Sequence, residues 1–324
     1  MTKKFNKLII LCKANSVTGG SELVHQLCHE LSTINLQAYI CYYPFGKDHR
    51  IPEEYSIYNI EQCTMEDNVD NLIILPEVAT KYARKIINSQ IGIWWLSIDN
   101  YYRKKGDSFL KDSLKYYKDL LRLRLIPLAL MRKYLHFSQS YYAYMYLKKH
   151  NIDSEYLSDY LNPVHFEHIK KNKKNIILYN PVKGAKTTQR LIANNAEFKF
   201  IPLEKLNSKE VQNLFNESKL YIDFGNHPGK DRMPREAVMA DCCLITGKRG
   251  SAENNVDIPI PEQYKFDDRK DLDNDLFKKT VNDLFSNYDI TIKDFYSYKE
   301  IIKKEKENFQ KQAYEIFTKL INVK

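Results

Sequence analysis

The chain has 324 residues, of which 43% are hydrophobic and 28% are charged, a balance that excludes a disordered or fibrous protein. Its six cysteines lack paired C-x-x-C spacing, which excludes a disulfide scaffold, and no apolar run approaches the ~20 residues needed to span a bilayer. The formal net charge of +9 is concentrated in one segment rather than spread along a stripe, so we expect no nucleic-acid partner.

The first half alternates short apolar runs with helix-patterned segments, which indicates βαβ units and a mostly parallel sheet. The segment before the first run lacks a signal-peptide core and cleavage site, so we expect a cytoplasmic protein. Strands are predicted near residues 7–12, 36–43, 72–75, 91–96 and 134–137. Helices are predicted near residues 20–32, 79–88, 112–133 and 139–150.

The basic segment runs from Arg103 to Lys133 and holds ten basic and three acidic residues. Its lysines and arginines are mixed with Leu, Tyr and Met, a composition that suits an anionic membrane surface. A core helix with a solvated basic face is the alternative. The first interpretation predicts peripheral attachment to the inner membrane.

The second half repeats the alternation after a polar, lysine-rich stretch, so a domain boundary is predicted near Asn162 and Pro163. Strands are predicted near residues 175–179, 198–202, 219–224 and 242–246, and helices near 185–194, 208–215, 234–240 and 271–286. We therefore expect domains at 1–163 and 164–294. Apolar residues at helical spacing predict one long helix over 295–324, which packs back on the first domain.

Two glycine-containing turns follow predicted strands, where the loops of a parallel sheet bind ligands. The first is Gly19-Gly20-Ser21-Glu22, whose glycines and helix N-terminus suit a phosphate or a sugar hydroxyl. The second is Lys183-Gly184, where the lysine could neutralise a diphosphate. A tight turn and a solvated lysine are the alternatives.

The most informative segment runs from a strand end through a Gly/Pro-rich loop into a helix, over residues 223–237. When a sugar leaves a nucleotide, the diphosphate gains negative charge, which positioned cations and helix-end N–H groups stabilise. Gly229 and Lys230 lie in the loop, and Arg232 and Arg235 can supply further cations. Glu236 suits the hydroxyls of a ribose or sugar, although it could instead stabilise the helix N-terminus.

This layout resembles the GT-B glycosyltransferases, and most closely the retaining family 4 type of bacterial polysaccharide and lipopolysaccharide assembly. Gly19, Gly20 and Glu22 resemble that family's Gly-Gly-x-Glu turn, and Lys183-Gly184 and Glu236-Ala237 match its later motifs. The resemblance implies an α/β GT-B fold, with two Rossmann-like domains facing across a cleft and a long C-terminal helix. It also implies that Glu236 holds the ribose, while Lys183 and a loop cation hold the diphosphate.

The sequence departs from the family at one position, because Pro228 stands eight residues before Glu236 where the family has a glutamate. Asp231 or His227 could take over the sugar-facing role, so retention is favoured but inversion stays open. If the enzyme inverts, Asp99 could be the general base for an acceptor hydroxyl. Trp95 could stack on an acceptor sugar. Core packing of that tryptophan is the alternative.

We therefore predict a metal-independent, hexosyltransferase-like enzyme that needs no cofactor beyond its nucleotide diphosphate-sugar donor. The D-x-D spacing at 271–275 could bind a metal, but it begins a predicted helix, where acidic residues act as caps. His25 and His29 have the spacing of a zinc pair but lack further ligands. The expected acceptor is a glycan or a lipid-linked glycan. A catalytically silent GT-B binding subunit and a nucleotide-sugar epimerase are the competing interpretations.

Overall fold

A computed structural model describes residues 4–102, 109–166 and 172–321. Its strands are β1 Lys7–Lys13, β2 Ala38–Tyr43, β3 Glu61–Gln62, β4 Asn71–Pro76, β5 Gln90–Trp95, β6 Leu135–Ser138, β7 Glu155–Tyr156, β8 Lys174–Tyr179, β9 Lys199–Pro202, β10 Ser218–Asp223, β11 Cys243–Gly247 and β12 Lys265–Phe266. Its α-helices are α1 Gly19–Thr33, α2 Ile98–Tyr101, α3 Phe109–Leu121, α4 Leu128–Met131, α5 Tyr141–Lys149, α6 Ala185–Asn194, α7 Ser208–Glu217, α8 Arg232–Met239, α9 Asn274–Ser286, α10 Tyr288–Thr291, α11 Tyr296–Lys303 and α12 Glu305–Leu320.

The chain forms two compact units, one of residues 1–160 and 306–324 and the other of residues 161–305. These limits differ from the predicted ones, because the first boundary follows Tyr160 and residues 295–305 belong to the second unit. Among the described residues, no helix combines the length and the apolar character that crossing a bilayer requires.

The first unit contains a parallel sheet with strand order β3-β2-β1-β4-β5-β6-β7. The interiors of its central strands β1 and β4 are continuous apolar runs, as expected for a sheet that is covered on both faces. Trp94 and Trp95 point to opposite faces, as successive residues of a strand must, and each lies in a different core cluster.

The last helix, α12, contributes to the core of the first unit. Phe309, Ala313 and Phe317 recur at helical spacing and are buried in the same cluster as Trp94 and Phe137. The expectation of one unbroken C-terminal helix is wrong, because α11 ends at Lys303 and α12 begins at Glu305.

The helix predicted over 112–133 is observed only in part, because α3 ends at Leu121. Leu123 takes a left-handed conformation with φ of 55°, and the Arg124 amide donates to the Asp119 carbonyl at 2.8 Å, the pattern of a Schellman helix end. Pro127 then precedes the short helix α4. Residues 77–85 form a 3-10 helix rather than the predicted α-helix.

The second unit contains a parallel sheet with strand order β12-β11-β10-β8-β9 around one core cluster. The helix α7 begins with a capping box, in which the Asn207 side chain and the Glu210 side chain satisfy each other's backbone amides. Strand β10 lies between β8 and β11, so the loops that follow these three strands leave the same edge of the sheet. That edge is where a doubly wound sheet binds ligands.

Candidate functional site

Two loops meet backbone to backbone at this edge, and glycines permit the contact. Gly184, after β8, has φ of 61°, and Gly225, after β10, has φ of 95°. A Cβ on Gly225 would lie 2.5 Å from the Gly184 nitrogen, and a Cβ on Gly184 would overlap the Phe224 backbone. Only glycine fits either position without displacing the other loop.

We expect Gly184→Ala to lower the free energy of unfolding by about 2 kcal/mol or more, because left-handed strain adds to backbone overlap. Gly46→Ala is the matched control, since Gly46 has φ of 79° but no atom within 4 Å of an added Cβ. Urea unfolding of both variants measures the difference. Equal losses would show that the contact between the loops is not tight.

The loop after β10 is held in place by its own backbone and by the turn after β11. The amide of Ser251 donates to the His227 carbonyl at 2.9 Å, and the amide of His227 donates to the Arg249 carbonyl at 3.3 Å. The Ser251 hydroxyl donates to the Gly229 carbonyl at 2.6 Å. Gly229, predicted to contact the donor, therefore has a defined structural contact in this loop.

Lys183 extends into this loop and forms the centre of a charged cluster. Its Nζ lies 2.5 Å from Asp231 Oδ2, 3.0 Å from Asp223 Oδ1 and 3.0 Å from His227 Nδ1. His227 is fully buried, and its Nε2 lies 3.1 Å from the Asp223 carbonyl oxygen, which can only accept. In a neutral ring the proton is therefore on Nε2, and Nδ1 accepts from Lys183. In a protonated ring Nδ1 donates to Asp231 Oδ2, which lies 3.0 Å away.

The charges in this cluster stabilise one another. Burial lowers the pKa of Lys183, but Asp223 and Asp231 outweigh burial, so this pKa is raised above its ordinary value. Burial raises the pKa of Asp231, but Lys183 and His227 outweigh burial and hold this pKa well below its ordinary range. The ammonium and the Asp231 carboxylate are thus both charged at neutral pH.

The side chains of Asp223, His227 and Asp231 approach one another closely enough to be considered as metal ligands. The Lys183 ammonium lies within 3.0 Å of one atom of each, in the position that a divalent cation would take. A metal ion could bind these three groups only if the ammonium withdrew. The cluster is thus arranged around an organic cation.

The helix α8 positions the predicted ribose ligand, Glu236, one turn after its first residue, Arg232. Glu236 Oε1 lies 3.2 Å from Arg232 Nε and 3.6 Å from His165 Nε2, and the Glu236 side chain is 7% exposed. The His165 side chain, close to the predicted domain boundary, is only 13% exposed. Nothing in the sequence spacing indicates that His165 would approach Glu236.

Two of the four predicted cations, Lys230 and Arg235, share one carboxylate partner, Glu305. Arg235 is fully buried, its Nη1 lies 2.7 Å from Glu305 Oε2, and it also donates to the Lys230 and Asp231 carbonyls. Lys230 Nζ lies 2.8 Å from Glu305 Oε1. The prediction that Arg235 binds the donor is wrong for this structure, because its buried guanidinium bonds to Glu305 and to the carbonyls of the loop. Glu305 was not recognisable from the sequence because it falls in the interior of the single helix predicted over 295–324, where a glutamate normally faces solvent.

The sites predicted in the first unit are more buried than expected. Trp95 is fully buried and donates to His136 Nδ1 at 3.0 Å, so it presents no face to an acceptor sugar, contrary to the prediction. Asp99 is 1% exposed and accepts from the Tyr142 hydroxyl at 3.2 Å, so it is not placed to meet an acceptor hydroxyl.

The turn at the start of α1 is a capped helix end. Gly19 and Gly20 open the helix, and the Thr18 side chain accepts from the Ser21 amide at 3.3 Å. Glu22 is 8% exposed and accepts from the Tyr58 hydroxyl at 3.1 Å. Gly20 is exposed, and an added Cβ there would only touch Leu96 at 3.6 Å. The glycine is therefore not required by packing.

No family model matches the sequence, and no curated protein matches it. The fold is similar to that of HepE from Anabaena, solved in complex with UDP-glucose, with a TM-score of 0.63 and 10% identity over 97% of this chain and 100% of HepE. It is similar to sucrose-phosphate synthase from Thermosynechococcus elongatus, with a TM-score of 0.66 and 11% identity over 97% of this chain and 98% of that chain. A glycosyltransferase from Rickettsia africae gives a TM-score of 0.56 and 13% identity over 97% of this chain and 95% of that chain. These similarities establish the fold, and the predicted α/β GT-B class is confirmed.

Proposed function

We propose that this protein is a glycosyltransferase that moves a sugar from a nucleotide diphosphate-sugar to a glycan or lipid-linked acceptor in bacterial surface polysaccharide assembly. The observation that supports this proposal is the cluster around Lys183, at the carboxyl edge of the second sheet of a GT-B fold. That edge is where parallel sheets bind nucleotides. HepE, which shares the fold, was solved with UDP-glucose.

The cluster can stabilise charge that develops on a leaving diphosphate. Lys183 is 18% exposed and charged, and the first turn of α8 adds backbone amides at the same edge. A bound diphosphate would replace Asp231, which is 24% exposed, as a partner of the ammonium. Arg232, with 35% of its side chain exposed, is the second cation in position. Glu236 would accept from the ribose hydroxyls.

We infer that the sugar is transferred with retention of configuration. An inverting enzyme needs a general base at the acceptor hydroxyl, and Asp99, the predicted base, is buried and accepts from Tyr142. Analysis of the product's anomeric configuration tests this inference. A product of inverted configuration would contradict it.

Thermal unfolding in the presence of UDP, ADP, GDP, CDP and dTDP tests the donor site. A ligand that binds only the folded state at 100 times its Kd stabilises it by about 2.7 kcal/mol. We expect one nucleoside diphosphate to raise the Tm, and the matching nucleotide-sugar to release that nucleotide when an acceptor is present. No shift with any of the five would contradict the proposal.

A catalytically silent binding subunit is the second candidate. It is favoured by the internal partners of the loop cations, because Lys183 pairs with two carboxylates and Lys230 and Arg235 pair with Glu305. Donor binding without nucleotide release, across a broad panel of glycan and lipid-linked acceptors, would support this candidate over transfer.

Glu236→Gln is expected to weaken donor binding or turnover by about 10-fold, because a charged hydrogen bond contributes ~1.5–3 kcal/mol. The matched control is Glu300→Gln, whose carboxylate is 61% exposed on α11. Isothermal titration with the nucleoside diphosphate identified above measures the loss. Equal affinities for the two variants would remove Glu236 from the ribose site.

A further inference from the structure

The helix α3 carries an apolar face that points into solvent. Leu110, Leu114, Tyr117 and Leu121 are 73%, 70%, 62% and 84% exposed, and they follow one another at the spacing of a single helical face. Single exposed leucines are ordinary, but a row of four large apolar side chains on one helix is not.

The opposite face of α3 carries its two acids. Asp119 is 6% exposed and lies 3.6 Å from Arg124 Nη1, and Asp112 is half-buried. Tyr116 and Leu120, on the same inner side, pack against the core of the first unit. A helix on the surface of a soluble protein normally buries its apolar face and exposes its charges. In α3 three leucines and Tyr117 are outside, and the carboxylates are inside.

Exposed basic residues flank this apolar face. Lys111, Lys115, Lys118 and Arg122 recur at spacings of three and four along α3 and its end, so they form one row beside the leucines. Residues 103–108, which complete the basic segment, lie outside the described residues.

A basic pocket of about 470 Å³ continues this surface. Lys81, Arg84 and Lys85 line it together with Tyr82, and Leu123, which is 60% exposed, joins it to the end of α3. Arg84 donates to the Leu125 carbonyl at 3.2 Å, which fixes this cation to the segment that follows α3. Among the residues that the structure describes, no carboxylate lines the pocket. Its chemistry suits a phosphate group.

We propose that the first unit docks on an anionic phospholipid membrane through this basic-apolar surface, made of the outer face of α3, Leu123 and the pocket of Lys81, Arg84 and Lys85. The leucines and Tyr117 enter the interfacial layer, the row of basic residues meets anionic headgroups, and the pocket holds a headgroup phosphate. Membrane docking does not require glycosyl transfer. It would bring the enzyme close to a membrane-linked acceptor.

Charge argues for a membrane over a second copy of the chain. A two-fold interface would place the same basic row of both copies in one contact, where like charges repel. An anionic bilayer supplies both an apolar layer and negative charge. The surface on the first unit carries exposed apolar side chains and positive charge, which match these two properties of the bilayer.

Cosedimentation with vesicles tests the proposal. The wild-type protein is expected to pellet with vesicles of equal parts phosphatidylglycerol and phosphatidylcholine, to stay in solution with phosphatidylcholine alone, and to be released by salt. Leu114→Asp/Leu121→Asp should reduce the partition coefficient at least 10-fold, and Lys111→Gln/Lys115→Gln/Lys118→Gln should do the same.

Matched controls lie on exposed positions of the second unit. Val256→Asp/Ile290→Asp changes two apolar side chains that are 56% and 67% exposed, and Lys209→Gln/Lys279→Gln/Lys293→Gln removes three exposed lysines. Both controls should bind like the wild type, and unchanged urea unfolding of every variant shows that the fold is intact.

Three results would overturn the proposal. One is wild-type binding that does not depend on phosphatidylglycerol, and another is equal binding by the α3 variants and their controls. The third is a molar mass that falls from dimer to monomer in Leu114→Asp/Leu121→Asp, which would make the face a contact between copies. Because vesicle binding needs no donor, its failure is separable from a failure of nucleotide release.

Discussion

Lys183→Met is expected to reduce donor affinity or turnover at least 100-fold and to lower the free energy of unfolding by about 3 kcal/mol. The side chain of Asp223 is 2% exposed and that of His227 is fully buried, so neither reaches solvent when the ammonium is removed. A buried carboxylate without its counter-charge is the costly outcome of breaking a buried ion pair. Urea unfolding measures the stability, and nucleotide binding and release measure the function.

The two effects of Lys183→Met can be separated with a second substitution. Lys183→Met/Asp231→Asn removes one of the two carboxylates that lose their partner, so it should recover part of the stability without recovering donor binding. Lys186→Met on α6 is the matched control, because that lysine is exposed. Wild-type donor binding by Lys183→Met would refute the proposed role of this cluster.

Glu305→Gln is expected to lower the free energy of unfolding by about 3–5 kcal/mol, the range measured when a buried charge loses its partner. The Arg235 side chain is fully buried and that of Lys230 is 11% exposed, and both depend on this carboxylate. Because Arg235 also bonds to the Lys230 and Asp231 carbonyls, the loop that carries Asp231 should become mobile. Urea unfolding and hydrogen exchange of residues 228–232 measure the two consequences.

Glu307→Gln, at an exposed position of the same helix, is the control for Glu305→Gln and should stay within about 0.5 kcal/mol of the wild type. Arg235→Met/Glu305→Leu should recover most of the lost stability, since a well-packed apolar pair can replace a buried ion pair. A loss for Glu305→Gln no larger than that for Glu307→Gln would show that the pair with Arg235 contributes little.

The fold was largely predictable from the sequence because its strands are buried on both faces. Runs such as Leu8–Cys12 and 72–75 are typical of central strands in a covered parallel sheet, and the helical segments between them indicate βαβ connections. The ends of elements were harder to predict. Leu123 is not a residue that normally takes a left-handed conformation, so the end of α3 could not be read from the chain.

The position of the candidate site was predictable from the sequence, but the ion pairs among its charged side chains were not. Strand ends and glycines located the loops that carry Lys183 and His227, because ligands bind at the carboxyl edge of parallel sheets. The partner of each cation depends on tertiary contacts, such as the one between Arg235 and Glu305, which are 70 residues apart. Trp95 illustrates the same limit. An aromatic residue at a strand end can stack on a ligand or pack in the core, and the structure places Trp95 in a core cluster.

The contact between Gly184 and Gly225 offers a way to recognise related chains when identities with structural neighbours are only 10 to 13%. Neither glycine can be replaced independently, since each one's missing side chain makes room for the other loop's backbone. Gly250 faces the His227 carbonyl with the same lack of space. A search pattern that requires these three glycines, with Lys183 and His227 beside them, would select for the geometry of this edge of the second sheet even where the surrounding sequence has diverged.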